Sequence, residues 1–223
     1  MLSEADRALI AAATVKAESE TSGEIACVVT EEVSAYREIP LAAGAGVALL
    51  GPPLAVALGL RLEAFTAPFA GWTAAHGPAS AGPILTVYAV VQVMLFALAV
   101  ALASVPAVRR ALTPRGLKQR RVRRAALQHF AGARQHLAPG QTMVLIFASL
   151  GDRQMEIVAD EAIHAKVGQG AWDEAVAQAL ATMRTSGAAA GLAKAVEVCG
   201  ATLAAHFPDD GGGNAFPDRV LEL

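Results

Sequence analysis

The stretch TMVLIFASLGDRQMEIVA, Thr142 to Ala159, determines how the rest of the chain can be arranged. Its first part, Thr142 to Leu150, is continuously apolar and rich in branched side chains, which is typical of a strand covered on both faces. A turn at Gly151-Asp152-Arg153 follows, and apolar residues then alternate with more varied ones from residue 154 onward. The pattern predicts a β-hairpin whose second strand lies nearer an edge of the sheet.

A second stretch of the same character, EIACVVT, lies far upstream at residues 24–30. A short hairpin turn cannot connect residues 24–30 to residues 142–150, because the two stretches are far apart in sequence. One strand also cannot form a stable sheet alone. A parallel pairing with residues 142–150, reached by a crossover over one face of the sheet, solves both problems. We therefore expect these two strands to form the centre of one small mixed sheet.

The segment before the first strand, SEADRALIAAATVKAESETSG, has the signals of a helix. Ser3 is a candidate N-cap, because its hydroxyl can accept a hydrogen bond from the backbone, and Asp6 follows three residues later. Gly23 is expected to close the helix at its C-terminal end.

Further helices are predicted after residue 112. Thr113-Pro114 opens the first of them and Pro139-Gly140 ends it. The apolar face of this helix consists of Val122, Ala126, Phe130, Ala133 and Leu137. Alanine-rich segments predict three more helices at roughly 160–167, 171–184 and 187–206. The tail AFPDRVLEL could add a short strand.

Two long stretches without charge, residues 39–60 and 84–105, interrupt this α/β pattern. Each contains 22 residues. A helix of that length extends about 33 Å, enough to cross the roughly 30 Å hydrocarbon core of a bilayer. The connecting residues 61–83 contain three prolines and several hydroxyl side chains, which argue against a third span. We expect a two-span hairpin over residues 39–108, which returns the chain to the side from which it left.

Small and polar residues within the hairpin bear on how its two helices meet. Gly44 and Gly46 would let a partner helix approach closely. Gln92 is the one amide in the second stretch. It either faces the other helix or is a single polar residue that the membrane tolerates.

A run of basic residues follows the second stretch. Eight Lys and Arg side chains fall within residues 109–124, and no acid lies among them. They are Arg109, Arg110, Arg115, Lys118, Arg120, Arg121, Arg123 and Arg124. The connecting loop offers only Arg61, so the positive-inside rule places this run, both soluble parts and both termini in the cytoplasm. We expect the run to contact anionic lipid head groups of the inner membrane.

The charge balance favours a membrane rather than a nucleic acid as the partner of this basic run. Hydrophobic residues make up 54% of the 223 residues and charged residues 17%, against about 25% charged residues in a typical soluble protein. The net charge is only −2, because acidic segments offset the run on both sides. Since a nucleic-acid-binding domain is usually basic over a whole folded face, no nucleic-acid partner is expected.

The cysteines and the first residues both indicate a reducing compartment. Cys27 and Cys199 do not have the CxxC spacing of a zinc site or redox motif, so we expect two buried free thiols. The opening MLSEADRALI is acidic and amphipathic, whereas a secretory signal would be basic and then apolar. No export of this N-terminus is expected.

These elements predict one α/β domain, residues 1–38 and 109–223, split by the hairpin at 39–108. Three stretches, SEADRALIAAATVKAESETSGEIACVVT, MVLIFASLGDRQMEIVADEAIH and NAFPDRVLEL, resemble the TPM-domain family. They are most similar to its bacterial membrane members, which have a transmembrane hairpin between the first and second strands. The resemblance implies a three-layer α/β/α sandwich, with a role in the maintenance or assembly of membrane proteins. It also implies that acid phosphatase activity and divalent-cation binding occur among relatives.

The best candidate for a chemical site is ADEAIH, where the third strand gives way to a helix. Open α/β sheets often bind ligands at strand ends. Asp160, Glu161 and His164 could hold Ca²⁺ or Mg²⁺, with water completing the coordination shell. Alternatively, Asp160 is the N-cap of the helix and Glu161 complements the helix dipole. The segment DDGGGN lacks the ligand spacing of a calcium loop and is expected to be a linker.

Two functions of different class follow from these observations. The first is a non-enzymatic, membrane-anchored adaptor or assembly factor that binds another membrane protein near the inner face. The second is a divalent-metal-dependent phosphatase that uses the region around Asp160. Recognisable nucleophile, zinc-protease and nucleotide-binding motifs are absent from the sequence, which favours the adaptor.

Overall fold

The computed structural model describes residues 2–59, 71, 81–138, 140–209 and 220–222. Over these residues the chain forms eight helices and four strands. In chain order they are α1 (Glu4–Glu18), β1 (Gly23–Thr30), α2 (Glu38–Ala57), α3 (Ala81–Ser104), α4 (Pro106–Leu112), α5 (Arg115–Arg134), β2 (Thr142–Ser149), β3 (Gln154–Ala159), α6 (Glu161–Val167), α7 (Gln169–Ser186), α8 (Ala188–His206) and β4 (Leu221–Glu222).

The chain divides into two compact units. An α/β unit is formed by Met1–Ser34 together with Arg115–Leu223, and a hairpin unit by Ala35–Pro114. The α/β unit is mixed in class and mostly helical, with a single small sheet in the part of the chain that is described.

The four strands are arranged in the order β3-β2-β1-β4. β1 and β2 are parallel, in register from Gly23 opposite Thr142 to Thr30 opposite Ser149. β3 is antiparallel to β2, and β4 adds two residues parallel to β1 at the other edge. The expected parallel pair, the hairpin, the edge position of β3 and the short strand from the tail are confirmed.

Side chains of the central strands alternate between two apolar cores, as the period of two in a strand requires. On one face Cys27 and Ile146 lie in a core that includes residues of α1, α6, α7 and α8. On the other face Val28 and Phe147 lie in a smaller core with Val122 of α5. Helices therefore cover both faces of the sheet, which explains why β1 and β2 are apolar throughout.

The start of α1 has the predicted capping arrangement. Ser3 Oγ accepts a hydrogen bond from the backbone N–H of Asp6 at 3.1 Å. Asp6 Oδ2 in turn accepts from the backbone N–H of Ser3 at 2.9 Å. This reciprocal pair satisfies two N–H groups that a helix terminus otherwise leaves without a partner.

The predicted closure of α1 at Gly23 is wrong. The helix ends at Glu18, where Ser19 Oγ donates to the carbonyl of Lys16 at 2.7 Å and closes the last turn without a glycine. Gly23 instead begins β1. A Cβ at this position would lie 3.3 Å from the side chain of Leu203, so the close packing of α8 explains the small residue.

The predicted end of α5 at Pro139-Gly140 is also too late. The α-helix ends at Arg134, because the next residues tighten into bonds three residues apart, such as Leu137 N–H to the Arg134 carbonyl at 3.3 Å. Leu137 still reaches the smaller core. Gly140 has φ +93°, the left-handed conformation that turns the chain toward β2.

Two interior prolines, Pro52 and Pro53, and several glycines do not stop α2 from being a helix of 20 residues. Gly44 faces α3 so closely that a Cβ would lie 2.5 Å from Val100 Cγ2 and 3.0 Å from Phe96. The predicted close approach is therefore seen at Gly44. At Gly46 a Cβ would meet nothing within 4 Å, so the prediction is wrong for that residue.

Gln92 faces the other helix of the hairpin unit, which decides between the two alternatives left open by the sequence. Its Nε2 donates to the carbonyl of Ala48 in α2 at 3.3 Å and to Tyr88 Oη at 3.3 Å. Pro52 has no N–H to donate to the carbonyl of Ala48 four residues earlier, and the Gln92 side chain supplies a donor in its place.

Three of the described helices are long and apolar enough to cross a membrane, by length and composition alone: Glu38–Ala57, Leu85–Ser104 and Ala188–His206. The first two belong to the hairpin unit and the third is α8. Most of the predicted loop at 61–83, including His76, and most of the DDGGGN segment lie outside the described residues.

Candidate functional site

The basic run is divided between the two units of the chain. Arg109 and Arg110 lie in α4 of the hairpin unit. The other six lie in the first half of α5, which begins where the chain re-enters the α/β unit. They are Arg115, Lys118, Arg120, Arg121, Arg123 and Arg124. Since α5 winds, these six side chains point in different directions around the helix.

Two of the six contact neighbouring elements. Arg123 Nη1 lies 3.4 Å from Glu156 Oε2 on β3. Burial raises the pKa of Glu156, and the charge of Arg123 opposes that rise. Arg121 donates to Ser34 Oγ, just before the chain leaves the α/β unit. These contacts fix part of the basic run against the sheet and the loop after β1.

Two others of the six face a cavity of about 750 Å³ at the carboxyl end of β2. Arg115 and Lys118 contribute from α5, Arg153 from the β2–β3 turn and Arg184 from the last turn of α7. We call this space the arginine cavity. Its remaining walls are largely apolar and include Ala148, Leu150, Leu180, Met183 and Ala188.

The base of the arginine cavity is the tight turn that joins β2 to β3. Asp152 is buried, and its Oδ2 accepts from Ser149 Oγ at 2.7 Å and from the backbone N–H of Val33 at 3.4 Å. Arg153 has φ +54°, a left-handed conformation that costs a non-glycine residue on the order of 1 kcal/mol. The turn is thus tied to the segment after β1, and it carries Arg153 in a constrained position.

The arginine cavity is strongly positive. Four basic side chains and one acidic side chain line it, a formal charge of +3. Among the described residues, none of Arg115, Arg153 and Arg184 has a carboxylate within ion-pair distance. All three are exposed at the surface, so their charges are accessible to a ligand from solution.

A second cleft, of about 630 Å³, lies on the α5 side of the same sheet edge. Thr30, Arg121, Arg124 and His129 line it, and Phe147 forms part of its base. The rings of His129 and Phe147 stack with centroids 5.5 Å apart. The carboxyl ends of β1 and β2 therefore have basic side chains on both sides, at the edge where open α/β sheets commonly bind ligands.

The predicted metal residues are not brought together as a metal site. Both oxygens of Asp160 accept protein hydrogen bonds: Oδ1 from Arg134 Nε at 2.9 Å and Oδ2 from the backbone N–H of Met143 at 2.8 Å. Glu161 and His164 are exposed on α6. Within the described ranges, no three His, Cys, Asp or Glu side chains are placed to hold a metal ion together.

The alternative role of Asp160 as a capping side chain needs correction too. Asp160 does occupy the N-cap position of α6, but its side chain makes no capping hydrogen bond. Its carboxylate instead joins α5 to the start of β2 through Arg134 and Met143. The carboxylate of Asp160 thus accepts from Arg134 and from the Met143 N–H, and the N-terminus of α6 has no side-chain capping hydrogen bond from it.

Both cysteines are buried free thiols, as predicted. Burial raises the pKa of Cys27 to about 12 and raises that of Cys199 further above its ordinary value. A thiol is nucleophilic only as the thiolate, so these two side chains act as apolar core residues at neutral pH.

Arg153 and Arg184 are the functional candidates that the sequence did not reveal. Arg184 is remote in sequence from the basic run and lies on a helix of ordinary amphipathic pattern. The packing of α7 against β3 and α8 brings it to the cavity that Arg115 also lines. For Arg153 the sequence did contain one indication, because this residue occupies a tight hairpin turn where glycine or asparagine is usual.

No protein-family model matches the chain, and no curated protein matches it. Among solved structures, the chain is similar to the NMR structure of BA42 protein from the psychrophilic bacterium Bizionia argentinensis sp. nov.. The similarity has a TM-score of 0.55 at 15% identity and covers 100% of this chain and 96% of that one. At this identity the likeness is one of fold: a mixed α/β arrangement shared with that protein.

Proposed function

We propose that the chain is a membrane-anchored, TPM-like protein whose hairpin unit spans the inner membrane twice. The observation that carries the proposal is the surface of the hairpin unit. Large apolar side chains of α2 and α3 are exposed on it: Leu41, Val47, Leu49, Leu50, Leu54, Val56, Leu85, Val90, Val93, Met94, Leu98 and Leu102. An apolar surface of this extent is costly in water and favourable in hydrocarbon.

The interior of the hairpin unit supports the same proposal. Helices in lipid associate through small residues and interhelical hydrogen bonds, because burial of apolar surface gives no advantage there. Gly44 against Val100 and Gln92 against the Ala48 carbonyl are contacts of these two kinds.

Two spans, not three, fit the burial of α8. This helix is apolar because it packs inside the α/β unit. Eight of its residues are buried: Ala189, Gly191, Leu192, Ala195, Val196, Cys199, Gly200 and Leu203. A helix whose apolar face is already covered by α1 and the sheet has no comparable surface left for lipid.

The orientation rests on the basic residues. Arg61 alone stands between the spans, against eight basic residues after the second. The positive-inside rule then places the α/β unit and both termini in the cytoplasm. Anionic head groups attract basic residues near the membrane surface with about 1 kcal/mol each.

We propose further that the α/β unit acts as a non-enzymatic adaptor or assembly factor for another membrane protein. Asp152 and Asp160 each join separate elements, Asp152 through the Val33 N–H and Asp160 through Arg134 and the Met143 N–H. The phosphatase alternative draws no support from Asp160, Glu161 and His164, because the half-buried carboxylate of Asp160 is already engaged by Arg134 and Met143 and the other two side chains are exposed.

Site-specific photo-cross-linking in cells tests the adaptor function. A photoreactive residue at Leu9 or Leu127, large apolar side chains exposed on the α/β unit, should give a discrete adduct with a membrane protein. The same residue at the exposed, polar Glu197 serves as the control. If neither apolar position gives an adduct above that control, and the purified chain hydrolyses a generic phosphate ester, the adaptor proposal fails.

A further inference from the structure

The arginine cavity gathers positive charge from three separate parts of the chain. Arg115 and Lys118 come from the basic run, Arg153 from the β2–β3 turn and Arg184 from α7. Like charges that line one cavity repel each other. A fold that brings them together without an ion-pair partner for Arg115, Arg153 or Arg184 in the described chain is suited to bind an anion.

The volume and the lining of the cavity restrict which anions it could bind. Its volume of about 750 Å³ is within the roughly 300–1,000 Å³ of small-molecule sites. The guanidinium group presents paired N–H donors that match the oxygens of a phosphate. The walls formed by Leu180, Met183 and Ala188 are apolar, so the ligand needs an organic part beside its charged group.

We propose that the arginine cavity binds a phosphate ester of a small polyol, with the phosphate held by Arg115, Arg153 and Arg184 and the organic part against α7 and α8. Such a group is available both as the head group of an anionic phospholipid and as a soluble polyol phosphate. Binding at this site differs from a general attraction between the basic run and a charged surface, because Arg153 and Arg184 lie outside that run. The lipid source rests on the proposed membrane anchoring, whereas the soluble source does not.

The test compares two single substitutions of equal charge in the full-length chain. Arg184→Gln removes a cavity residue that lies outside the basic run. Arg120→Gln removes an exposed residue of the basic run that does not line the cavity. The chain is purified in a neutral detergent, and its melting temperature is titrated with glycerol 3-phosphate, with short-chain phosphatidylglycerol and with short-chain phosphatidylcholine.

We expect a saturable rise in melting temperature with at least one of the two phosphate ligands that carry net negative charge, since a ligand that binds only the folded state stabilises it. Arg184→Gln should weaken the apparent affinity at least about tenfold, the effect of losing one charge-assisted hydrogen bond. Arg120→Gln should leave it within about twofold, as expected for a screened surface charge.

A response to glycerol 3-phosphate identifies a soluble ester as sufficient, and a response to phosphatidylglycerol alone identifies a lipid head group. Equal weakening by the two substitutions, or an equal response to phosphatidylcholine, overturns the proposal. So does the lack of a saturable shift with either anionic ligand. Membrane extraction of the chain is scored separately, so that loss of the ligand site and failure of the membrane anchor give different results.

Discussion

Val28 of β1 lies opposite Phe147 of β2 in a parallel register, although the whole hairpin unit separates the two residues in sequence. Each strand is buried on both faces, and each completes a core that the other cannot form alone. We therefore expect the α/β unit to fold only when both of its sequence segments are present. A chain that joins residues 1–34 directly to 115–223 should melt cooperatively, whereas 115–223 alone should melt at lower temperature or without a cooperative transition. Equal melting of both would show that the segments fold separately.

Gly191 lies at a close contact between α8 and α7. A Cβ there would lie 2.8 Å from the carbonyl oxygen of Ala179 and 2.9 Å from the backbone nitrogen of Met183. Because backbone atoms cannot move aside as a side chain can, Gly191→Ala should destabilise the α/β unit by about 1–3 kcal/mol.

Gly132 provides the matched control for this substitution. It is also helical, near the end of α5, but a Cβ would meet nothing within 4 Å. Gly132→Ala should therefore stabilise the helix by about 0.5–1 kcal/mol. Denaturant unfolding followed by the fluorescence of the buried Trp172, in a chain with Trp72→Phe, measures both. Similar signs for the two substitutions would contradict the α7–α8 packing described above.

The two buried thiols predict a loss of stability at alkaline pH. Cys27 has a folded pKa of about 12 against an ordinary value of 9.0, and the pKa of Cys199 is raised as well. The unfolded chain therefore loses these protons at lower pH than the folded chain, so the stabilisation is fully present below pH 9 and is lost progressively as the pH rises from 9 to about 12. Between pH 9 and pH 10 each thiol should cost about 1 kcal/mol of unfolding free energy.

Replacing both cysteines by alanine should remove this part of the pH dependence. The variant is less stable at every pH because it loses core volume, so the slope of unfolding free energy against pH is the quantity to compare. A slope between pH 9 and pH 10 that is the same with and without the thiols would show that they ionise as readily in the folded chain as in the unfolded one.

Asp160 joins α5 to β2 rather than holding a cation. Asp160→Asn removes the charge that faces Arg134 but keeps an oxygen that can accept from the Met143 N–H. We expect a loss of about 1 kcal/mol, since the pair with Arg134 is partly exposed. Millimolar Ca²⁺ or Mg²⁺ should shift the melting temperatures of wild type and variant equally. A cation-dependent rise confined to the wild type would restore the predicted metal site.

The secondary structure of the α/β unit could be predicted because its signals are local. The unbroken apolar pattern of β1 and β2 reflects burial on both faces, and the Ser3–Asp6 pair is a contact within one turn. The end of α1 could not be placed, because Ser19 closes the last turn and Gly23 is small for a different reason, its contact with Leu203.

The candidate site could be predicted only in part, because it depends on contacts between distant segments. The basic run is visible in the sequence. Which of its residues face Glu156, the arginine cavity or the second cleft depends on their positions around α5. The position of Arg184 at the arginine cavity depends on tertiary packing, which the local sequence pattern does not indicate. The sequence around Asp160 indicates a metal site or a helix cap, because its partner Arg134 is distant in sequence.

We propose a hairpin that spans the inner membrane twice and keeps the α/β unit in the cytoplasm. A reporter enzyme that is active only outside the cytoplasm tests it directly when fused to the full chain at either terminus or inserted at His76. We expect no activity at residues 1 and 223 and strong activity at position 76. Activity at either terminus, or silence at position 76 in a stably expressed fusion, would contradict it.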